Sequence, residues 1–179
     1  MNFGFPCRQE NEEVYYVDSS FATIRQPQLA ELKKLAARNV SGKARLCLHS
    51  SPGAELHEMF IVHRKETYVR PHRHLTRSEG LMVLEGMADL IVFSEQGTIT
   101  KLTRLDRECF HIRLDSGHYH MLIIRSDFFV FYEATTGPFD IKGTVFAPWS
   151  PSLDKPLEIK RFSELIEAQI AEANSPPTT

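Results

Sequence analysis

The hydrophobic pattern divides the chain into two helical stretches and a long central series of short alternating runs. Residues 27–39 place Leu29, Leu32, Leu35 and Ala36 on one helical face. Pro27 suits a first turn, and Asn39 with Ser41 and Gly42 supplies the stop. This helix is expected to cover a sheet or to join a dimer interface. From residue 44 onward, strand-like runs follow at 45–49, 56–63, 67–69, 80–84, 87–93, 98–105, 109–114, 118–125 and 128–135, separated by turn residues. Glu85-Gly86 reads as a tight turn between antiparallel strands. Ahead of the series, residues 14–17 are the one strand-like run in the first twenty, expected as an edge strand of this or a neighbouring subunit. Behind it, Pro148, Pro151 and Pro156 make residues 141–156 an irregular crossing loop. Residues 162–174 then form a second amphipathic helix, with Phe162, Leu165, Ile166, Gln169 and Ile170 on one face and Ser163 as its cap. Residues 175–179 are expected to fray. About nine short strands with no helices between them predict an all-β sandwich or barrel rather than parallel βαβ units. The chain divides into an N-terminal strand and helix (1–43), a barrel (44–140) and a C-terminal loop and helix (141–179).

The candidate chemistry lies in this series. His72 and His74 stand two apart, so a strand presents both imidazoles to one face, and Glu79 can return to the same cavity after a short connection. Two neutral nitrogens and a carboxylate suit a divalent first-row metal. Downstream, Gly117-His118-Tyr119-His120 offers a further ligand, with His118 and His120 on one face and Tyr119 on the other. Arg73, between the first two histidines, should likewise point away from the cavity. Arg45 and Arg70 can meet an anionic ligand, because guanidinium pairs with carboxylate or phosphate in a bidentate way. Tyr68 is a candidate cavity phenol. Glu133 and His49 are the candidates for a base beside the metal. Cys47 reads as a small core residue, and His57, His63 and His111 as structural or exposed positions.

Composition narrows the setting. The length of 179 residues and 42% apolar content fit one globular domain with a core. A formal net charge of -2 gives no long-range attraction to nucleic acid or to an anionic membrane. Cys7, Cys47 and Cys109 are odd in number and widely spaced, which suits reduced thiols and a cytoplasmic location. The acidic first twenty residues do not read as a signal peptide, and no apolar run is long enough for a spanning helix.

The spacing of His72, His74, Glu79 and Gly86 resembles the first motif of the cupin superfamily, and Gly117 followed by His120 resembles the Gly-x-x-His core of the second. Asp115 stands where that motif has Pro, and Ile124 where it has a non-ligating Asn. Leu46-Cys47-Leu48-His49, the run from Tyr68 to His74, Phe93 with Gly97, Gly117 to His120, and Glu133 to Phe139 look like the WbuC family of cupin-fold metalloproteins, over roughly residues 16–140. The resemblance implies a cupin double-stranded β-helix, or jelly-roll, barrel with short terminal helices. It implies one divalent transition metal (Zn, Fe, Mn, Ni or Co) held by His72, His74, Glu79 and His120, with His118 as the alternative or additional ligand. Because such proteins are often encoded beside genes for bacterial surface polysaccharides, the expected ligand is a small polar molecule of the sugar or sugar-nucleotide kind. Arg45, Arg70, Tyr68 and His118 are the candidates to bind it. A metal-dependent enzyme, a non-catalytic ligand-binding or sensing barrel, and a structural metalloprotein all fit. A homodimer with neither nucleic-acid nor membrane partners is the expected assembly.

Overall fold

A computed structural model describes residues 3–173, so the expected frayed end lies outside the described residues. The strands, in chain order, are β1 (Cys7–Gln9), β2 (Val14–Val17), β3 (Lys43–Cys47), β4 (Leu56–Arg64), β5 (His72–His74), β6 (Glu79–Glu85), β7 (Ala88–Phe93), β8 (Ile99–Leu105), β9 (His111–Leu114), β10 (Tyr119–Ile124), β11 (Phe128–Thr136) and β12 (Thr144–Phe146). Two helices, α1 (Gln26–Arg38) and α2 (Pro156–Ala173), flank the series. One sheet runs β1-β2-β3-β4-β11-β6-β9 and the other β12-β5-β10-β7-β8. Their facing side chains share one core, in which Met59, Ile61, Leu81, Phe129 and Phe131 of the first meet Leu90, Leu105, Leu122 and Ile124 of the second.

Strand alternation assigns each residue a side. On β3, Ala44 and Leu46 turn outward and pack beneath Leu29, Leu32 and Ala36 of α1. The intervening Lys43, Arg45 and Cys47 turn into the barrel. On β10, Tyr119 and Met121 pack outward with Ile166 and Ile170 of α2, while Leu122 and Ile124 join the barrel core. The helices therefore seal the outer faces of opposite sheets. Pro27 sits in the first turn of α1, and the Arg25 backbone N–H donates to the Gln28 side chain at 3.0 Å.

Several expectations are corrected. Residues 67–69 form no strand; the Thr67 hydroxyl instead accepts from the Arg64 N–H and donates to the Gly42 carbonyl, closing a turn. A strand absent from the expectation, β1, pairs with β2, and β2 runs parallel to β3 of the same chain. The proline-rich stretch contains a short 3-10 turn, Ile141–Gly143, and then β12, which pairs with β5. The second helix begins at Pro156, so Ser163 lies inside it and caps nothing, and Leu165 is exposed while Ile166 and Ile170 are buried.

Glu85-Gly86 does not close a hairpin either: β6 pairs with β11 and β9, whereas β7 pairs with β10 and β8. Gly86 instead turns the chain from one sheet to the other, at φ +88°. A Cβ there would lie 2.1 Å from the Phe128 carbonyl oxygen and 2.4 Å from the Ser126 hydroxyl. Gly86→Ala is therefore expected to cost about 2–4 kcal/mol, from a left-handed backbone combined with a backbone clash. Urea unfolding midpoints check this, and a loss below about 0.5 kcal/mol would contradict it.

Candidate metal centre

Four strands from the two sheets build the site. β5 lies between β10 and β12, with His72 opposite both His120 and Phe146, and His74 opposite Thr144. Period-two alternation turns His72, His74 and His120 inward. Arg73 turns outward over the Tyr119 ring, 4.5 Å from its centroid, and Tyr119 packs against Trp149 on that outer side. Glu79 opens β6 on the opposite sheet, level with Thr135. Gly117, at φ +89°, turns the chain from β9 of one sheet to β10 of the other, and its N–H donates to the His74 carbonyl at 2.7 Å.

The ligand atoms of His72, His74 and His120 all lie within 4.8 Å of one another. Glu79 is outside that mutually close set but reaches two of its members. Its Oε1 is 2.9 Å from His120 Nε2 and its Oε2 is 3.4 Å from His74 Nε2. His72 Nδ1 donates to the Arg70 carbonyl at 2.8 Å, and His120 Nδ1 to the His118 carbonyl at 2.9 Å. Each ring thus uses its Nδ1 proton on the backbone and directs Nε2 inward, the orientation that metal-ligating histidines take from their outer partners. His74 Nδ1 lies 3.1 Å from the Thr144 hydroxyl and 3.0 Å from an Arg77 guanidinium nitrogen, and that same guanidinium donates to Thr144 at 3.1 Å. Three imidazoles and a carboxylate converging from two sheets fit a divalent transition metal.

Electrostatics set the protonation of this cluster. Burial pushes His72 down to about 3, aided by the neighbouring His120. Burial also disfavours charge on His120, but the hydrogen bond and charge of Glu79 outweigh it and raise its proton affinity. Burial opposes ionisation of Glu79, yet its bonds to His120 and His74 hold it well below the usual carboxylate range.

The histidines line a cavity of about 570 Å³ inside the barrel. Glu133 projects into it from β11, between Met59 and Leu81 on the neighbouring strands. Burial, then the charge of Glu79, raise its pKa to about 7, against the pull of Arg45, His120 and Arg77. His49 also lines the cavity, stacked on His57 at 4.0 Å, with its Nδ1 3.2 Å from the Glu58 backbone N–H. Burial, then His57, lower its proton affinity.

The other candidates divide. Arg45 lines the cavity. Arg70 and Tyr68 line it too, but their polar ends are committed: the Arg70 guanidinium donates to the Ser150 hydroxyl and carbonyl, and the Tyr68 hydroxyl to the Pro151 carbonyl. His118 is exposed ahead of β10 and stands outside both the cavity lining and the imidazole cluster; only its carbonyl serves the site. Thr144 was concealed from sequence reading by the proline-rich stretch that holds it. Arg77, buried against Phe139 at 5.0 Å, carries no spacing signal that sets it apart from the other arginines near the histidine motif.

The sequence matches the family model described as a domain of unknown function (DUF6016) over residues 24–105. No curated protein matches it. Protein SO0799 from Shewanella oneidensis is similar in structure, with TM-score 0.53 and 12% identity over 76% of this chain and 93% of that one. L-ribose isomerase from Cellulomonas parahominis gives TM-score 0.50 and 12% identity over 60% and 70% of the two chains. A cupin 2 conserved barrel domain protein from Rhodopseudomonas palustris gives 0.48 and 14% over 70% and 77%. The chain spans only 21%, 51% and 29% of the matched procruciferin from Brassica napus, DMSP lyase DddQ from Ruegeria pomeroyi and capsular polysaccharide assembling protein CapF from Staphylococcus aureus. The fold is a mainly β jelly roll of two facing sheets, and no helix among the described residues is long and apolar enough to cross a membrane.

Two outcomes follow from the protonation pattern. A bound divalent metal should be lost as the protein is acidified from neutral pH, because its imidazole ligands must be neutral and Glu79 raises the proton affinity of His120. Elemental analysis after dialysis reads this, and His74→Ala should lower the retained metal at every pH. Glu133 behaves oppositely to a salt-bridged acid. Its folded pKa, about 7 against an ordinary 4.5, makes ionisation costly, so its contribution to stability is lost as pH rises between those values. In chelator-treated protein, Glu133→Gln should be neutral near pH 5 and stabilising above pH 7, by up to about 3 kcal/mol. Equal unfolding midpoints for the two proteins at about pH 8 would contradict this.

Proposed function

We propose that the protein is a metal-dependent enzyme that moves a proton on a small polar substrate bound in the barrel. One observation carries this reading: a carboxyl group tuned to about neutral pH, Glu133, opens into the same cavity as the three clustered imidazoles. A general base works best when its pKa lies near the working pH. A divalent metal held by His72, His74 and His120, with Glu79 as fourth ligand, would act as a Lewis acid on a substrate carbonyl or hydroxyl.

The chain's own residues account for the remainder. Glu133 takes the proton from carbon or hydroxyl and returns it, as an isomerisation or epimerisation requires. His49, with its lowered proton affinity, is a neutral partner on the same wall. Arg77 and Thr144 fix the ring of His74. The apolar walls formed by Met59, Ile61, Leu81 and Phe131 exclude water from the base. The resemblance of the histidine motifs to the WbuC family supports a sugar or sugar-nucleotide substrate tied to bacterial surface-polysaccharide metabolism.

Incubating metal-loaded protein with a panel of aldoses and ketoses in D2O tests the reading. Deuterium should enter carbon-bound positions of at least one sugar, and Glu133→Gln should slow this about 10²–10⁴-fold while retaining its metal. Ligand-dependent stabilisation with no exchange and no turnover, whichever metal is loaded, would establish a binding module instead.

A further inference from the structure

The cavity extends past the histidines, and its far part has a different chemistry. Along β4 the inward positions are His57, Met59, Ile61 and His63, and strand register sets their neighbours. Thr135, beside Glu79, is level with His57; Glu133 and Cys47 are level with Met59; Arg45 and Phe131 with Ile61; Lys43 and Phe129 with His63. Each inward step is two residues, or about 7 Å. Arg45 therefore starts about 13 Å along the strands from the level of Glu79, and Lys43 with His63 about 20 Å.

Most charged groups lining this cavity already have partners. Glu10 pairs with Arg8, Glu79 with His74 and His120, Arg70 with Ser150, and Arg77 with Thr144. Among the described residues, no acid lies within 4.0 Å of the Lys43 or Arg45 cationic groups. Beside them, His63 is 7% exposed, and its buried Nδ1 has no hydrogen-bond partner. Its ring packs edge-on against Phe131 at 5.4 Å. A buried polar atom without a partner is costly, and two neighbouring cations with no acid in ion-pair contact add to that cost. Supporting this closeness, burial and then the charges of Lys43 and Arg45 hold His63 neutral. Burial likewise lowers the proton affinity of Lys43, against the attraction of Glu13. Glu133, with a pKa of about 7, is only partly ionised at neutral pH and does not fully offset Arg45.

We propose that Arg45, Lys43 and His63 form an oxyanion-binding subsite in the barrel, taking the carboxylate or phosphate group of a small organic ligand. Arg45 presents its planar fork, Lys43 a point charge, and His63 a neutral ring N–H. The remainder of the ligand crosses Met59, Ile61 and Phe131 towards Glu133. Only that direction rests on the reading proposed above; the subsite itself does not require the metal.

Calorimetric titration of chelator-treated protein with glutarate, and separately with inorganic phosphate, tests this. At least one anion should bind saturably and raise the melting temperature. Preference for glutarate identifies a carboxylate ligand, and preference for phosphate a phosphate ester. Arg45→Met and Lys43→Met should each weaken binding about tenfold or more, while Arg107→Met, on an exposed turn, should not. If Arg45→Met fails to fold, Arg45→Lys keeps the charge and loses the fork, and a loss of about threefold or more is expected. Binding of neither anion to the wild type, or unchanged binding to a folded Lys43→Met/Arg45→Met variant, would overturn the proposal. Failure of the metal reading would appear separately, as no metal uptake with the anion titration intact.

Discussion

The contact on which the barrel interior depends is Glu79 held between His120 and His74. The carboxylate belongs to one sheet and the imidazoles to the other, so the contact ties the two walls together at a polar point in an otherwise apolar core. Burying such groups is unfavourable unless every polar atom finds a partner. Here the backbone carbonyls of Arg70 and His118 take the outer ring nitrogens of His72 and His120, while Arg77 and Thr144 serve His74. The inner nitrogens of His120 and His74 meet Glu79, with His72 beside them, an arrangement that calls for either a shared proton or a metal.

Around that point, each strand carries two roles on its two faces. Arg73 and Tyr119 pack with each other outside, and their immediate neighbours His72, His74 and His120 meet inside. On β3, Ala44 and Leu46 serve α1 while Lys43 and Arg45 serve the cavity. The same buried wall therefore supports a helix and lines a binding space. Its register cannot slip by one residue without exchanging the two sets.

Much of this was legible in the sequence, because period-two alternation and turn residues are local signals. The inward direction of His72, His74 and His120 and the outward direction of Arg73 and Tyr119 followed from spacing alone. Pairing between sheets did not. Gly86 announced a turn, but only the approach of the Phe128 carbonyl shows why no larger residue fits there. Starting the strand at residue 45 instead of Lys43 hid a cation, and nothing local distinguished His63 from a surface histidine. Thr144 was missed because the prolines that follow β12 outweighed three residues of strand.

The position of β12 has one more consequence. Thr144 pairs with His74 across seventy residues of chain, and His120 pairs with His72 from the other side. The three-residue ligand strand is thus completed by two partners that arrive late in the sequence, and it has no local hairpin of its own. Loop-closure entropy must be met before either pairing forms, so the centre is an end-product of global assembly rather than a preformed local unit. Its integrity reports on the whole barrel: a disturbance that loosens the segment after β11 exposes the backbone of the ligand strand itself.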